Sequence, residues 1–221
     1  MKERWKRLLS FSMFVFIIFS GFLGLTAGEP PMEVVQAARQ GICDFVNAET
    51  PGSSHFPLSG KASLDNAVIG NGFQVYSAPP MTLVNSSGLR PIIAPLGVWR
   101  FVVVNDGNPV SLITVAKVEG TWRAVSMGGA RLAAEVHQVM EQWPVQKGFS
   151  HRFIRIFQAR ADFFEITGSG KLTGFIPLTA SRLAFGLEGT FDAGTLLQES
   201  EVLTSLQEII KERMLGLEKK E

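Results

Sequence analysis

Three runs rich in β-branched and aromatic residues are the clearest pattern in the chain, and they cover residues 99–105, 109–118 and 121–127. Two acidic–glycine dipeptides, Asp106-Gly107 and Glu119-Gly120, separate these runs. Such dipeptides supply the positive φ angles that tight hairpin turns require. The pattern therefore predicts a three-stranded antiparallel meander at about 99–127.

Three other segments carry apolar residues at three- and four-residue spacing and predict amphipathic helices at about 31–46, 129–143 and 195–215. The first follows Pro30-Pro31, and proline suits a first helical turn because its missing N–H is not needed there. Pro144 ends the second helix. The third is predicted to begin at Thr195, which forms a capping-box pattern with Gln198.

Shorter β-rich runs lie on both sides of the meander, at 72–78, 153–159, 161–167 and 172–178. Residues 50–72 are rich in Pro, Gly, Ser and Asn, a composition typical of a long irregular connection. Helices and groups of strands therefore alternate along the chain. This order predicts an α+β fold with a largely antiparallel sheet.

The first 27 residues have the three-part pattern of an export signal. Residues 1–7 carry four basic side chains against Glu3, and residues 11–27 carry no charge. Small Ala27 stands just before the expected cleavage site, and the helix-breaking Pro30-Pro31 follows that site. The 17 residues of the apolar run are at the short limit for crossing a bilayer. We expect cleavage near Ala27 and secretion. The alternative is a retained N-terminal anchor, with membrane contact only through residues 11–27.

The remaining residues, 28–217, suit a single domain outside the cytoplasm. Its predicted parts are a helix with an irregular loop (28–71), a sheet core (72–190) and a C-terminal amphipathic helix (191–217), followed by a charged tail (218–221). Cys43 is the one cysteine of the chain, so no internal disulfide can form and the fold must rely on its core. An export signal without a disulfide scaffold favours a bacterial protein.

Charge does not favour a polyanionic partner. Without the leader, basic residues fall from 21 to 17 and acidic residues from 20 to 19, which leaves a net charge of −2. We therefore expect no nucleic-acid partner. Arg152, Arg155 and Arg160 are interleaved with phenylalanine and isoleucine, which could form a cationic aromatic surface. The favoured interpretation is a packed strand whose long basic side chains reach solvent.

Four residues are candidates for chemistry: Cys43 as a nucleophile, and His55, His137 or His151 as its base. A cysteine hydrolase requires a thiolate beside a base or a positive charge. The spacing pairs Cys43 with none of the histidines, and Cys43 falls in the middle of a predicted helix. An unreactive packed thiol, or a site for an intermolecular disulfide, is the favoured interpretation.

Metal and cofactor motifs are weak. His137 and Glu141 share a helix face at four-residue spacing, but no second histidine lies near them in sequence, which favours a solvated helix flank. The segment 168–171 resembles a phosphate-binding loop only in part, since Glu165 and Leu172 occupy positions that the motif reserves for glycine and for Ser or Thr. We expect neither a metal ion nor a cofactor.

The sequence thus predicts a non-enzymatic extracytoplasmic module that recognises a protein, a peptide or a small ligand on the sheet face or its flanking loops. Two alternatives remain open: a hydrolase that uses Cys43, and a structural domain of a membrane-anchored assembly. No residue is assigned a catalytic role. Fold class alone does not indicate which of these functions the chain performs.

Overall fold

The computed structural model of the chain describes residues 29–47, 66–168 and 171–218. These residues contain seven strands: β1 (Val68–Ser77), β2 (Ala94–Asn105), β3 (Asn108–Val118), β4 (Thr121–Gly128), β5 (Phe149–Ile156), β6 (Ala161–Gly168) and β7 (Lys171–Pro177). They form one sheet in the order β4-β3-β2-β1-β5-β6-β7. β1 and β5 are parallel, and the other neighbouring strands are antiparallel.

The helices in the described ranges are α1 (Met32–Asn47), α2 (Pro80–Val84), α3 (Ala130–Gln142), α4 (Thr179–Ala184) and α5 (Glu199–Glu218). The predicted α+β class and the largely antiparallel sheet are therefore confirmed. The predicted leader (1–27) and most of the predicted irregular connection (50–72) lie outside the described residues.

The meander has the predicted turns. Asp106 and Gly107 have φ angles of 48° and 79°, and Glu119 and Gly120 have φ angles of 51° and 82°. Positive φ at both central residues is the conformation of a type I′ turn, whose twist matches that of the strands on either side. The two acidic–glycine dipeptides thus set the register of β2, β3 and β4.

Successive residues of each strand point to opposite faces of the sheet, and both faces are apolar. On β2, buried Phe101 belongs to a cluster with α1, whereas buried Val102 belongs to a cluster with α3. Ile113 and Leu112 on β3 divide in the same way. We name the two surfaces the α1 face and the α3 face.

The α1 face carries two separate helical layers. α1 covers β3 and β4, where Val34 and Ala38 pack against Phe101, Ile113 and other core residues. α2 and α5 cover the opposite half of the same face, through a cluster that includes Leu83, Leu206, Ile154, Phe163 and Phe175. The α3 face has its own cluster, built from α3 and a group of strand residues that includes Phe73, Phe153, Phe164 and Ile176.

The C-terminal helix begins later than predicted. Leu197 is paired with Phe175 through two backbone hydrogen bonds of 2.8 and 2.9 Å, so the chain forms a β-bridge at this position and not a helix. Thr195 donates its hydroxyl to Asp192 instead of capping a helix. The helix starts at Glu199, and the backbone N–H of Gln198 donates to the Glu201 carboxylate in the manner of a capping box.

Several other boundaries also differ. The strand predicted at 72–78 begins at Val68, and β2 begins at Ala94 instead of residue 99. The short helices α2 and α4 were not predicted, because five or six residues are too few to show a helical period. None of the helices in the described ranges has the length and the apolar composition that crossing a bilayer requires.

Gly41 brings α1 close to the sheet. A Cβ atom at this position would lie 2.2 Å from the Cβ atom of Ala124 on β4 and 2.8 Å from the Cδ1 atom of Ile113. Both distances are shorter than van der Waals contact, so the absence of a side chain at Gly41 allows this approach. Glycine inside a helix otherwise destabilises it by about 1 kcal/mol relative to alanine.

We predict that Gly41→Ala lowers the free energy of unfolding by about 1–3 kcal/mol, because the added methyl group overpacks the contact between α1 and β4. Urea denaturation measures the change. The double variant Gly41→Ala/Ala124→Gly should recover most of the loss. Helix propensity alone would make Gly41→Ala more stable than the wild type. That result would contradict the close packing of α1 on β4.

Candidate functional site

The structure does not bring Cys43 together with His137 or His151. Cys43 is exposed, so the interpretation of a packed thiol is wrong. It belongs to α1, which packs on the α1 face of the sheet. His137 lies on α3, and His151 on β5 has the same alternation as Phe153, which places both histidines on the α3 face. The sheet separates them from Cys43. His55 lies outside the described residues.

His151 is held as a neutral structural residue. Its side chain is buried, its Nε2–H donates to the carbonyl oxygen of Trp143, and its ring lies 6.2 Å from the ring of Phe164. Burial lowers the pKa of His151 below its ordinary value of 6.5, and the hydrogen bond to Trp143 opposes this shift. The imidazole thus has a structural role: it joins β5 to the residue that follows α3 and packs in the core between them.

The acidic and histidine side chains of α3 are engaged locally. His137 Nε2 lies 3.2 Å from Glu141 Oε1 one turn later. Buried Glu135 accepts a 3.0 Å hydrogen bond from the backbone N–H of Thr179 and so joins α3 to α4. Within the described ranges, no three His, Cys, Asp or Glu side chains converge as metal ligands would.

The β5–β6 hairpin carries an arginine–carboxylate pair on each face of the sheet. Arg152 pairs with Glu165 on the α1 face, and Arg90 reaches the same carboxylate with its Nε at 2.8 Å. Arg155 makes a bidentate pair with Asp162 on the α3 face, with both distances 2.6 Å. Arg152 and Arg155 are therefore paired side chains of an interior strand.

The two edges of the sheet differ. Residue Leu197 pairs with Phe175 and covers part of the β7 edge. Among the described residues, β4 has no partner on its outer side. An uncovered edge strand presents backbone N–H and C=O groups to which another extended chain can bond. β4 is therefore the strand at which a further strand could join.

The register shows which backbone groups of β4 face outward. The two-residue turn makes Val118 and Thr121 a hydrogen-bonded pair, so the next pair, Lys117 and Trp122, is not hydrogen-bonded. The backbone N–H and C=O of Trp122 consequently point away from β3. Hydrogen-bonded and non-hydrogen-bonded pairs alternate along the strands, so the backbone N–H and C=O of Ala124, two residues later, also point away from β3.

A groove lies beside this edge, between α1 and the β3–β4 hairpin. Its volume is about 600 Å³, and it is lined by Glu33, Gln36, Ala37, Gln40, Lys117, Gly120, Thr121 and Trp122. Trp122 is fixed in it by two contacts. The indole Nε1–H donates to Glu33 Oε1 at 2.8 Å, and Lys117 Nζ lies 5.2 Å from the indole ring centroid.

The other face of β4 presents a cation. Arg123 points to the α3 face, is exposed, and makes no ion pair with a described residue. Exposed Val125 occupies a register shift between Ala124 and Ser126, which is a β-bulge. The bulge interrupts the regular edge and leaves Thr121–Ala124 as its continuous segment.

A second, smaller depression of about 390 Å³ lies at the C-terminal end of α3. Gln138, Glu141 and Asp192 are among its polar lining residues. Trp143, the residue after α3, donates its indole N–H to the carbonyl oxygen of Ala193, which is another lining residue, at 2.8 Å. None of the residues that line the depression belongs to a strand, so the groove beside β4 is the stronger candidate for recognition.

No family model, curated protein or solved structure matches this chain. The case for a function therefore rests on the chemistry of the chain's own surfaces. Of these surfaces, the β4 edge combines outward backbone groups with a side-chain groove and an exposed cation.

We predict that His151 makes folding stability depend on pH. The pKa of His151 in the folded protein lies below the ordinary value of 6.5. As the pH falls, the imidazole is therefore protonated near pH 6.5 in the unfolded chain but only at a lower pH in the folded protein. Its contribution to stability is complete above about pH 6.5 and falls as the pH drops below that value. Urea denaturation between about pH 8 and pH 5 should show a shallower pH dependence for His151→Gln than for the wild type.

A His137→Gln variant is the control for this series, and it should keep the wild-type slope. If His151→Gln and the wild type lose stability in parallel as the pH falls, the assignment of His151 as a buried neutral group is wrong.

We predict that no histidine of the described region activates Cys43. A chromogenic disulfide reagent should label Cys43 at the same rate in the wild type, in His137→Gln and in His151→Gln, because the sheet separates the thiol from both imidazoles. Absorbance at neutral pH gives the rate, and Cys43→Ser is the blank. A several-fold slower reaction in either histidine variant would contradict this prediction and favour the hypothesis of a cysteine hydrolase.

Proposed function

We propose that the chain is a non-enzymatic extracytoplasmic module that recognises an extended peptide segment of another protein by strand addition at β4. The observation that carries the proposal is the outer edge of β4, which no described strand covers, beside the groove that holds Trp122. In this proposal the leader of residues 1–27 directs export, and the domain acts outside the cytoplasm after cleavage near Ala27.

The backbone of β4 supplies the affinity in this mode of recognition. Trp122 and Ala124 each offer an outward N–H and C=O, so a peptide of about four residues can complete the ladder as far as the bulge at Val125. Bonds of this kind do not depend on the peptide's side chains. Selectivity must therefore come from the side chains on either side of the edge.

Those side chains define the chemistry of the peptide. Residues of an added strand alternate between the two faces, so one set lies beside Trp122 and the groove, and the other set lies beside Arg123. The indole favours an aromatic or aliphatic neighbour, and the guanidinium favours a carboxylate. The fitting ligand is an extended segment in which apolar and acidic residues alternate.

We predict that an eight-residue synthetic peptide of alternating Phe and Asp binds the chain, and that Ala124→Pro weakens binding by about tenfold or more. Proline removes the outward N–H of Ala124, which the β3–β4 ladder does not use, but its ring adds atoms where α1 approaches at Gly41, so circular dichroism must first show that the variant is folded. Isothermal titration calorimetry gives the affinities. Arg123→Ala should weaken binding of the Phe/Asp peptide but not of an alternating Phe/Ser peptide.

Three controls make the test specific. Arg131→Ala removes an exposed arginine of α3 and should leave the affinity unchanged. A peptide with the same composition in two blocks should bind more weakly, because its side chains no longer segregate by face. N-methylation of every second peptide residue can be placed in two ways. It should abolish binding when it blocks the N–H groups that point toward β4, and leave binding intact when it blocks the N–H groups that point away. Equal affinity for wild type and Ala124→Pro, in folded proteins, would overturn strand addition.

A further inference from the structure

Arg100 on β2 is a cation without a matching anion. Its side chain is half-buried, and its guanidinium carbon lies 5.9 Å from the ring centroid of Phe153 on the α3 face. Its Nε atom is inaccessible to solvent and has no hydrogen-bond partner among the described residues. Buried donors in folded proteins are nearly always paired, so an orphan of this kind calls for an explanation.

The neighbouring charges do not neutralise Arg100. Burial and the positive charge of Arg155 together lower the pKa of Arg100 from its ordinary value to about 10, against a smaller opposing effect of Asp162. Both oxygens of Asp162 are bonded to Arg155. Within the described residues, two guanidinium groups therefore share one carboxylate, and that carboxylate is oriented toward Arg155.

The corresponding cluster on the α1 face is arranged differently. There Arg90 and Arg152 each contact one oxygen of Glu165, so both cations lie directly against the anion. The side chain of Glu165 is fully buried beneath them. Both clusters therefore have two guanidinium groups and one carboxylate, but on the α3 face one of the two guanidinium groups, that of Arg100, makes no contact with the carboxylate. This contrast identifies Arg100 as the place where an anion is missing.

The surface beside Arg100 is apolar and partly open. Val98 on β2 and Ala116 on β3 are cross-strand neighbours on the α3 face, and both are half-buried. The helix α3 packs over the other end of these strands, at Val102 and Leu112. A ligand that reaches Arg100 from solvent would thus lie against aliphatic side chains.

We propose that Arg100 and Arg155 bind the oxyanion group of a ligand, a carboxylate or a phosphate, whose apolar part lies on Val98 and Ala116. Arg155 uses its Nε and one Nη for Asp162, which leaves its other Nη for the ligand. Guanidinium groups match both kinds of oxyanion through paired N–H donors. The site is on a strand face rather than at the β4 edge and does not depend on the proposed peptide recognition.

Titration of the ¹⁵N-labelled chain with octanoate, acetate and inorganic phosphate tests this site. The Nε–Hε signal of Arg100 in the NMR spectrum reports occupancy, and it should shift on addition of octanoate. Octanoate should bind more tightly than acetate, because its tail covers Val98 and Ala116. Tighter binding of phosphate than of octanoate would identify a phosphate-bearing ligand as the source of the oxyanion.

Two variants locate the binding. Arg100→Gln should weaken binding of the preferred probe about tenfold or more, since a charge-assisted pair is lost. The double variant Arg155→Gln/Asp162→Asn removes the second cation without leaving a buried unpaired carboxylate, and it should also bind more weakly. Arg131→Gln, which changes an exposed arginine of α3 outside both proposed sites, is the matched control and should bind as the wild type does.

The proposal is overturned if octanoate and phosphate both leave the Arg100 signal unmoved. It is also overturned if folded Arg100→Gln binds the preferred probe with wild-type affinity. Equal affinities for octanoate and acetate would show that the octanoate tail gains nothing from Val98 and Ala116. A ligand with an apolar part would then be ruled out, and the proposal with it.

Discussion

The structure depends on the parallel pairing of β1 with β5, which joins two antiparallel halves into one sheet. The aligned pairs are Val75 with Phe153 and Tyr76 with Ile154, so the ladder itself is short. Side-chain packing supplies the rest: Phe73 and Phe153 have ring centroids 5.0 Å apart across this junction. Because the junction lies in the middle of the sheet, both of its faces must be apolar and covered by helices.

The same junction explains where the charged residues of the interior lie. β5 and β6 are the strands beside it, and their side chains alternate between two covered faces. A charge on either strand must therefore meet a partner on its own face, as Arg152 and Glu165 do on one face and Arg155 and Asp162 on the other. Removing one partner of such a pair is costly, since it leaves a buried charge unpaired.

Local patterns predicted the local elements of this fold. The turns at Asp106-Gly107 and Glu119-Gly120 and the apolar period of α3 are each set by residues close in sequence, and the structure has them where the sequence indicated. The start of α5 was wrong because it depends on Leu197 pairing with Phe175, a contact that no local pattern reports.

The candidate surfaces could not be predicted from the sequence, because they too depend on residues that are distant in sequence. Trp122 and Arg123 belonged to a correctly predicted strand, but only the order of all seven strands shows that β4 is an edge. The sequence could not identify Arg100 as a candidate site either, because its surroundings depend on the positions of Phe153 and Arg155 more than fifty residues away. An arginine in the middle of an otherwise apolar strand was the one available clue.

The β1–β5 junction also has a consequence for the order of folding. Ser77 and Arg155, which are bonded across it, are 78 residues apart, so the junction can close only after a long stretch of chain has been made. The strands β1 to β4 are joined mainly by short-range hairpins and can form first. Until β5 docks, β1 is itself a bare edge with apolar faces, and aggregation during this interval competes with completion of the sheet.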